Sequence, residues 1–137
     1  MPRPQSAETV SRRMATVRST DTGPERAVRS MTHALGARFR LANRGLPGSP
    51  DLANRSRRWA IFVHGCFWHA HLGCPKAMSP KSNKVYWRRK LRMNRARDRT
   101  VVGALRARGF RVLVIWQCEL RAPGRVVRRL RPFLSLD

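Results

Sequence analysis

A cluster of potential metal ligands constrains this sequence more than any other feature does. Two cysteines and three histidines fall within the eleven residues from His64 to Cys74. A structural zinc ion takes four cysteine or histidine ligands in a closed tetrahedron. Cys66, His71 and Cys74 can supply three ligands from one loop, and this leaves one position to fill. Because Cys118 can fill it from a distant part of the chain, we expect the fold to bring Cys118 beside this loop.

Two alternatives to this ligand set stay open at the level of sequence. His69 could replace His71 as the fourth ligand, since the spacing allows either, and the cysteines could also be buried without a metal. A closed set of three cysteines and one histidine leaves no position for water, so the zinc would be structural. Three cysteines are an odd number, and the first residues lack the apolar segment of a signal peptide. We therefore expect a cytoplasmic protein without disulfides or a membrane-spanning segment.

The charge of the chain indicates a polyanionic partner. Its 30 basic residues outnumber 7 acidic ones and give a formal net charge of +23. Most of the basic residues are arginines, whose guanidinium group forks onto phosphate oxygens and guanine edges. A G+C-rich genome also raises arginine content, but it does not remove acidic residues. Because such one-sided charge costs self-repulsion, we predict that the protein binds nucleic acid.

The spacing of apolar residues predicts one α/β domain with a central mixed sheet flanked by helices. Apolar residues make up 42% of the chain, which is enough for a buried core. Helical spacing indicates helices at residues 23–35, 85–108 and 125–134. Alternating or β-branched runs indicate strands at residues 38–41, 51–53, 59–63 and 112–116, and we expect the second and third of these to pair through a basic turn at residues 54–58. The last of these is typical of a buried strand, and two glycines and two prolines predict a loop at residues 43–50.

Several motifs together resemble one known family of enzymes. They are Pro50-Asp51, Ile61-Phe62-Val63-His64-Gly65-Cys66-Phe67-Trp68-His69, Tyr86-Trp87 with Lys90, Asn94 and Arg97-Asp98, and Leu113-Val114-Ile115-Trp116-Gln117-Cys118-Glu119-Leu120. Over residues 11–120 the chain resembles the very-short-patch-repair DNA mismatch endonucleases. The resemblance implies a restriction-endonuclease-like core and Mg²⁺-dependent nicking of double-stranded DNA. The nick would lie next to the T of a T:G mismatch, which arises when 5-methylcytosine is deaminated.

The resemblance also implies where magnesium binds. Magnesium prefers oxygen ligands, and Asp51 together with the backbone carbonyl of Val63 would supply them. Asp51 opens a short strand directly after the predicted loop, and Glu25 on the first helix could reach the same site through water. Each acid has a structural alternative, since Asp51 could form a turn and Glu25 could stabilise the start of its helix.

His69 is the expected general base, because an unperturbed imidazole accepts a proton near neutral pH. The family pattern implies that Asp98, on the long basic helix, orients its ring. His64 is expected to orient water or phosphate near the metal. The resemblance also implies that the structural zinc is bound by Cys66, His71, Cys74 and Cys118.

Aromatic and basic side chains form the expected DNA-binding surface. Phe67 and Trp68 lie between zinc ligands, where they could unstack a weak T:G pair. The family pattern adds Tyr86 and Trp87 from the major groove and Met14 from the minor groove. On the long helix the expected contacts are Arg88, Lys90, Arg92 and Asn94, within a basic run that also holds Arg89, Arg95, Arg97 and Arg99. Core packing, the ordinary role of an aromatic, is expected for Phe39, Phe62, Phe110 and Trp116.

We expect residues 1–22 to be a basic arm that becomes ordered on DNA, and residues 23–137 to form the nuclease domain. The protein would act as a monomer, with mismatch-repair proteins as further candidate partners. A non-catalytic, zinc-dependent DNA-binding regulator is the main alternative, but it leaves Asp51, His69 and Asp98 without a role. A basic protein bound to RNA or to the ribosome explains only the charge.

Overall fold

The computed structural model describes residues 23–66, His69, His71 and residues 84–135. The predictions for the N-terminal arm with Met14, and for Phe67, Trp68 and Cys74, lie outside these residues. Within the described part, helices and strands alternate to form one α/β unit. No helix of that part is both long enough and apolar enough to cross a membrane.

A mixed sheet of three strands forms the centre of the described structure. β1 (Leu52–Asn54) and β2 (Trp59–His64) pair in antiparallel orientation as a hairpin. β3 (Arg111–Trp116) pairs with the other edge of β2 in parallel orientation, so the order is β1-β2-β3. In this register His64 lies opposite Trp116 at the carboxyl ends of the parallel strands. Residues opposite each other point to the same face of a sheet, so these two rings are neighbours.

Three helices of the described part of the chain cover the two faces of this sheet. α1 (Gly23–Ala34) and α3 (Pro123–Leu134) pack on one face, and α2 (Lys84–Ala107) packs on the other. The first core contains Val28, Leu52, Trp59, Ile61, Ile115, Val126, Leu130 and Leu134. The second core contains Leu46, Ala53, Ala60, Phe62 and Leu105. Successive residues of β2 thus alternate between two cores, which explains why nearly the whole strand is buried.

Two predictions about strands were wrong in part. Residues 38–41 form only an isolated bridge, between Arg40 and Ala53, because the chain turns away at Ala42 with a left-handed φ of 54°. β3 was expected to be buried, but within it only Ile115 is buried. Its position at the edge of the described sheet leaves the other side chains partly exposed. The three helices, the hairpin and the loop at residues 43–50 are confirmed.

The loop before β1 is held tightly, and this fixes the backbone next to Asp51. The side-chain amide of Asn43 donates a hydrogen bond to the carbonyl oxygen of Pro50 at 3.1 Å. Gly48 has a left-handed φ of 72°, and a Cβ placed there would lie 2.3 Å from Cγ1 of Val101 on α2. Only glycine allows this conformation at so close an approach.

We expect Gly48→Ala to lower the free energy of unfolding by about 2 kcal/mol or more, because it combines backbone strain with a steric clash. Gly103→Ala is the matched control, since nothing lies within 4 Å of an added Cβ at that helical position. It should stabilise the protein by about 0.5–1 kcal/mol, as alanine favours helix over glycine. Urea unfolding followed by tryptophan fluorescence measures both, and equal effects of the two substitutions would contradict the close packing of this loop.

Candidate active site

The candidate site lies where β2 and β3 end, which is the edge at which open α/β sheets bind ligands. A cavity of about 360 Å³ opens there between the sheet and α2. The side chains that the sequence predicts to be catalytic all line it, and they are Glu25, Asp51, His64, His69 and Asp98. They come from α1, the start of β1, the end of β2, the following loop and α2. The fold therefore assembles residues that are far apart in the chain.

Asp51 is held in place by the neighbouring strand and a second acid. Its Oδ2 accepts a hydrogen bond from the backbone N–H of Val63 at 2.7 Å. Glu25 is 7% exposed and shares a hydrogen bond with Asp51. Burial raises the pKa of Asp51 to about 7, against the opposing effect of the Val63 N–H, and the nearby Glu25 carboxyl adds to the rise. A bound cation would relieve the cost of ionising Asp51 in this environment.

The donor set at this end of the cavity suits a hard cation. Asp51, Glu25 and Val63 all line the cavity, and they offer two carboxylates and a backbone carbonyl. Magnesium takes oxygen ligands of this kind and usually keeps several waters. The residues that the sequence predicts for Mg²⁺ binding therefore lie together and have the right chemistry.

In the same cavity, His69 is hydrogen-bonded to Asp98. His69 Nδ1 lies 2.6 Å from Asp98 Oδ2, as the family pattern implies. An Nδ1–H that is donated to a carboxylate leaves the Nε2 lone pair free to accept a proton. The His69 side chain is 28% exposed, so water can reach it.

His64 stacks face to face on His69, with ring centroids 3.7 Å apart and an interplanar angle of 4°. Burial and, to a smaller extent, the neighbouring His69 lower the pKa of His64 to about 4 against the opposing effect of Asp98, so His64 is neutral at pH 7. His64 is therefore unsuited to act as the base of this stacked pair, which leaves His69 as the candidate. The nitrogens of His64 and His69 and a carboxylate oxygen of Asp98 lie within 4.8 Å of one another. However, parallel rings do not point their lone pairs at one common metal ion, so this arrangement favours proton transfer.

A second group of candidate metal ligands lies beside the histidine stack and consists of Cys66, His71 and Cys118. Their ligand atoms lie within 4.8 Å of one another. Cys118 Sγ is 3.5 Å from His71 Nδ1, and two ligands of a tetrahedral zinc ion are separated by about 3.5 Å. The structure places His71 next to Cys118, whereas His69 is engaged with Asp98. The residues present thus fit a zinc ion, and they favour His71 over His69 as its ligand.

Trp116 connects the two groups of residues, and the sequence did not predict this. Its ring stacks on His71 with centroids 4.0 Å apart and meets His64 edge to face at 5.2 Å. Trp116 was expected in the core, but it is only partly buried and packs on imidazole rings instead. The position of Trp116 can be predicted only once the parallel register of β2 and β3 is known, because that register places Trp116 beside His64.

The turn that carries Cys118 is braced by an ion pair that the sequence also did not predict. A short 3₁₀ helix (Gln117–Arg121) follows β3, and within it Glu119 pairs with Arg129 of α3. Arg129 also donates a hydrogen bond to the carbonyl oxygen of Val114 at 3.1 Å. Strand, turn and helix are thereby tied together around Cys118.

The predicted DNA contacts on α2 differ in their exposure. Those that are exposed or partly exposed are Tyr86, Arg88, Lys90, Arg92 and Asn94. Trp87 is only 2% exposed, so its side chain is buried in the protein interior. In this conformation its ring offers no surface to DNA, so insertion of Trp87 between base pairs would require α2 or its surroundings to rearrange. The signal for burial was its place on the inner side of an amphipathic helix, one turn before the buried Leu91.

Comparison with known proteins gives a consistent result. A family model described as DNA mismatch endonuclease Vsr matches residues 5–75. The "Type II nicking enzyme V.XorIIP" of Xanthomonas oryzae pv. oryzae is 53% identical over 122 residues, which cover 89% of each chain. The "DNA mismatch endonuclease Vsr" of Escherichia coli is 37% identical over 82% of this chain and 72% of that protein. The "Type II nicking enzyme V.NaeI" of Lentzea aerocolonigenes is 41% identical over 80% of this chain and 68% of that protein. On these grounds the chain belongs to the Vsr family of DNA mismatch endonucleases.

Proposed function

We propose that this protein nicks double-stranded DNA next to the T of a T:G mismatch, in a Mg²⁺-dependent hydrolysis that initiates very short patch repair. The observation that carries the proposal is that one cavity contains both the Asp51–Glu25 carboxyl pair and the His69–Asp98 pair. Hydrolysis of a phosphodiester needs a cation and a base, and the two pairs supply the groups for each. Relatives named as a mismatch endonuclease and as nicking enzymes support the DNA substrate and the single-strand cut.

Asp51, Glu25 and the backbone carbonyl of Val63 would hold Mg²⁺, which when bound neutralises charge that develops on the phosphoryl oxygens. The protein contributes by fixing these oxygens in advance. The N–H of Val63 orients the Asp51 carboxylate, and α1 brings Glu25 into hydrogen-bonding contact with it. Preorganised charges of this kind act strongly in a site that excludes most water.

His69 would act as the general base. Its Nε2 accepts a proton from the attacking water, and Asp98 stabilises the imidazolium that results. His64 stays neutral, so the stacked pair carries one positive charge rather than two. A catalytic role for His69 also gives the zinc site a purpose, because His69 lies in the chain between the ligands Cys66 and His71. With Cys74 and Cys118, a structural zinc would hold the loop that carries the base.

Recognition would combine sequence-independent and mismatch-specific contacts. The exposed arginines of α2, such as Arg88 and Arg92, would contact phosphates. Phe67 and Trp68, with Tyr86, would push between base pairs where the T:G wobble makes unstacking least costly. The proposal also includes a restriction-endonuclease-like core and a monomeric protein.

Replacing the base should lower the rate without lowering affinity for DNA. We expect His69→Gln to reduce single-turnover nicking by about 10²–10⁴-fold, since that is the usual contribution of a positioned general base. The dissociation constant for the duplex should stay within a few-fold of wild type. His33→Gln is the matched control, because His33 is an exposed histidine on α1 that lies away from the cavity. A loss of binding as large as the loss of rate would instead give His69 a structural role.

Substrate specificity tests the proposed function as a whole. We expect wild-type protein with Mg²⁺ to nick a T:G duplex at one position in the strand that contains the T. Duplexes that differ only by T:A or C:G at that position should be cut far more slowly. Denaturing electrophoresis of duplexes labelled on each strand measures this. Equal cleavage of all three duplexes, or no cleavage of any, would contradict the proposal.

A further inference from the structure

A second cavity also borders the histidine stack, and Asp51 is not among the residues that line it. It has a volume of about 310 Å³. It shares four residues with the first cavity, namely His64, His69, Asp98 and Val102, which therefore form a wall between the two. The proposed function uses only the first cavity, so the second has no assigned occupant.

The lining of the second cavity combines cationic and apolar groups. Arg95 and Arg99 lie one helical turn apart on α2, and both border it. Asp98 is the one acid among the described residues of the lining, and it is already paired with His69. A guanidinium binds phosphate oxygens through paired hydrogen bonds, so two arginines without a free acid form a site for a phosphate group.

Apart from His71, which also borders the cavity, the remaining walls are apolar. Val102 of α2 and Val114 of β3 line the cavity together with Trp116. Trp116 is held by its stacking on His71, so its position is fixed. The Trp116 ring and the two valine side chains offer an apolar surface on which a sugar beside the phosphate can pack. Covering this surface with a sugar is more favourable than leaving it in contact with water.

We propose that the second cavity binds the phosphate and deoxyribose of the nucleotide next to the cleaved bond, in the same strand. This rests on the proposed function, in which the cleaved phosphate occupies the cavity of Asp51. Successive phosphates of one strand are the anions that DNA can present to both sides of the wall at once. Arg97 borders the first cavity, whereas Arg95 and Arg99 border the second, so α2 offers cations to both.

Occupation of the second cavity would align the reaction. With the neighbouring nucleotide held against Trp116, the cleaved phosphodiester is fixed relative to water on His69, and such alignment lowers the barrier to hydrolysis. Arg95 and Arg99 are thus positioning residues for the chemistry as well as contacts for the duplex.

The test uses T:G duplexes in which a neutral methylphosphonate replaces one phosphate flanking the cleaved bond, one position at a time. For the wild type, we expect one such position to weaken binding about tenfold or more, because a charge-assisted contact is lost. The double variant Arg95→Gln/Arg99→Gln should show the same weakening on the unmodified duplex and no further loss at that position. The control Arg125→Gln/Arg128→Gln removes two exposed arginines from α3 and should still respond to the methylphosphonate.

Binding is measured by fluorescence anisotropy without Mg²⁺, and single-turnover nicking is measured in parallel. Two results would overturn the inference: no single methylphosphonate affects the wild type, or the double variant remains as sensitive as the wild type at every position. The comparison of wild type and double variant on modified and unmodified duplexes measures binding alone and needs no cleavage. A wild type that binds the duplex but never nicks it would therefore refute the proposed function, while the binding data would still decide the occupant of the second cavity.

Discussion

Replacing Asp51 with asparagine is expected to abolish nicking, with a loss of about 10³-fold or more, because it removes the carboxylate on which cation binding depends. Binding of the T:G duplex should stay within a few-fold, since Asp51 lies in the cavity and makes no proposed contact with bases. Single-turnover nicking and anisotropy on the same preparation measure both effects. A loss of binding equal to the loss of rate would show that Asp51 supports the fold rather than the reaction.

The same substitution should stabilise the protein when Mg²⁺ is absent. Burial raises the pKa of Asp51 to about 7, whereas an unfolded aspartate titrates at about 3.9. The native state therefore binds this proton more tightly than the unfolded state does. As a result, the contribution of Asp51 to the free energy of unfolding falls as pH rises from about 4 to about 7. Asp51→Asn avoids this cost, and we expect a gain of about 1–3 kcal/mol at pH 8 that becomes smaller at pH 5.

Urea unfolding at the two pH values checks this result. Asp98→Asn is the matched control, because it also removes one carboxylate from the cavity but breaks a favourable pair with His69. That variant should show no gain in stability at pH 8. If Asp51→Asn were less stable than wild type at both pH values, the carboxylate would be a structural group and not a strained catalytic one.

The second large effect concerns zinc. We expect one tightly bound zinc ion per wild-type chain and its loss in Cys118→Ser, together with a fall in unfolding free energy of about 3 kcal/mol or more. The reason is that a closed site contributes its binding free energy to folding. Cys118 lies in the short 3₁₀ helix between β3 and α3, and its Sγ is 3.5 Å from His71 Nδ1. Without Cys118, the loop that carries His69 would lose a tether to the rest of the fold.

Elemental analysis of protein purified without chelator measures the zinc content. Gln117→Ser is the control, since Gln117 is the exposed neighbour of Cys118 and should leave zinc in place. Cys118→His should retain part of the metal, because histidine is also a zinc ligand. Wild-type protein without zinc, or Cys118→Ser with a full equivalent, would contradict the site.

The sequence predicts those features that depend on local pattern. The helical spacing after Gly23, the hairpin of β1 and β2 and the long basic helix are all confirmed, because each is specified by residues close together in the chain. The structure also brings Asp51, His69 and Asp98 into one cavity, and these three had been grouped by motif resemblance and not by spacing.

Features that depend on packing between distant segments were missed. Trp116 contacts His64 and His71 only because β3 pairs with β2 in one parallel register, and no local pattern encodes that register. The same is true of the pairing between Glu119 and Arg129, which joins two elements that form separately. Trp87 is a different case, because its helical spacing from Leu91 does signal burial, whereas the motif resemblance implied insertion into DNA.

The most direct test of the account is the nicking rate of purified wild-type protein on a T:G duplex with and without added Mg²⁺. Asp51→Asn protein prepared in parallel controls for contaminating nucleases. We predict one nick per duplex with Mg²⁺, no nick without it, and none from the variant in either buffer. Nicking that is independent of Mg²⁺, or equal in wild type and variant, would contradict the assignment of this cavity as the hydrolytic site.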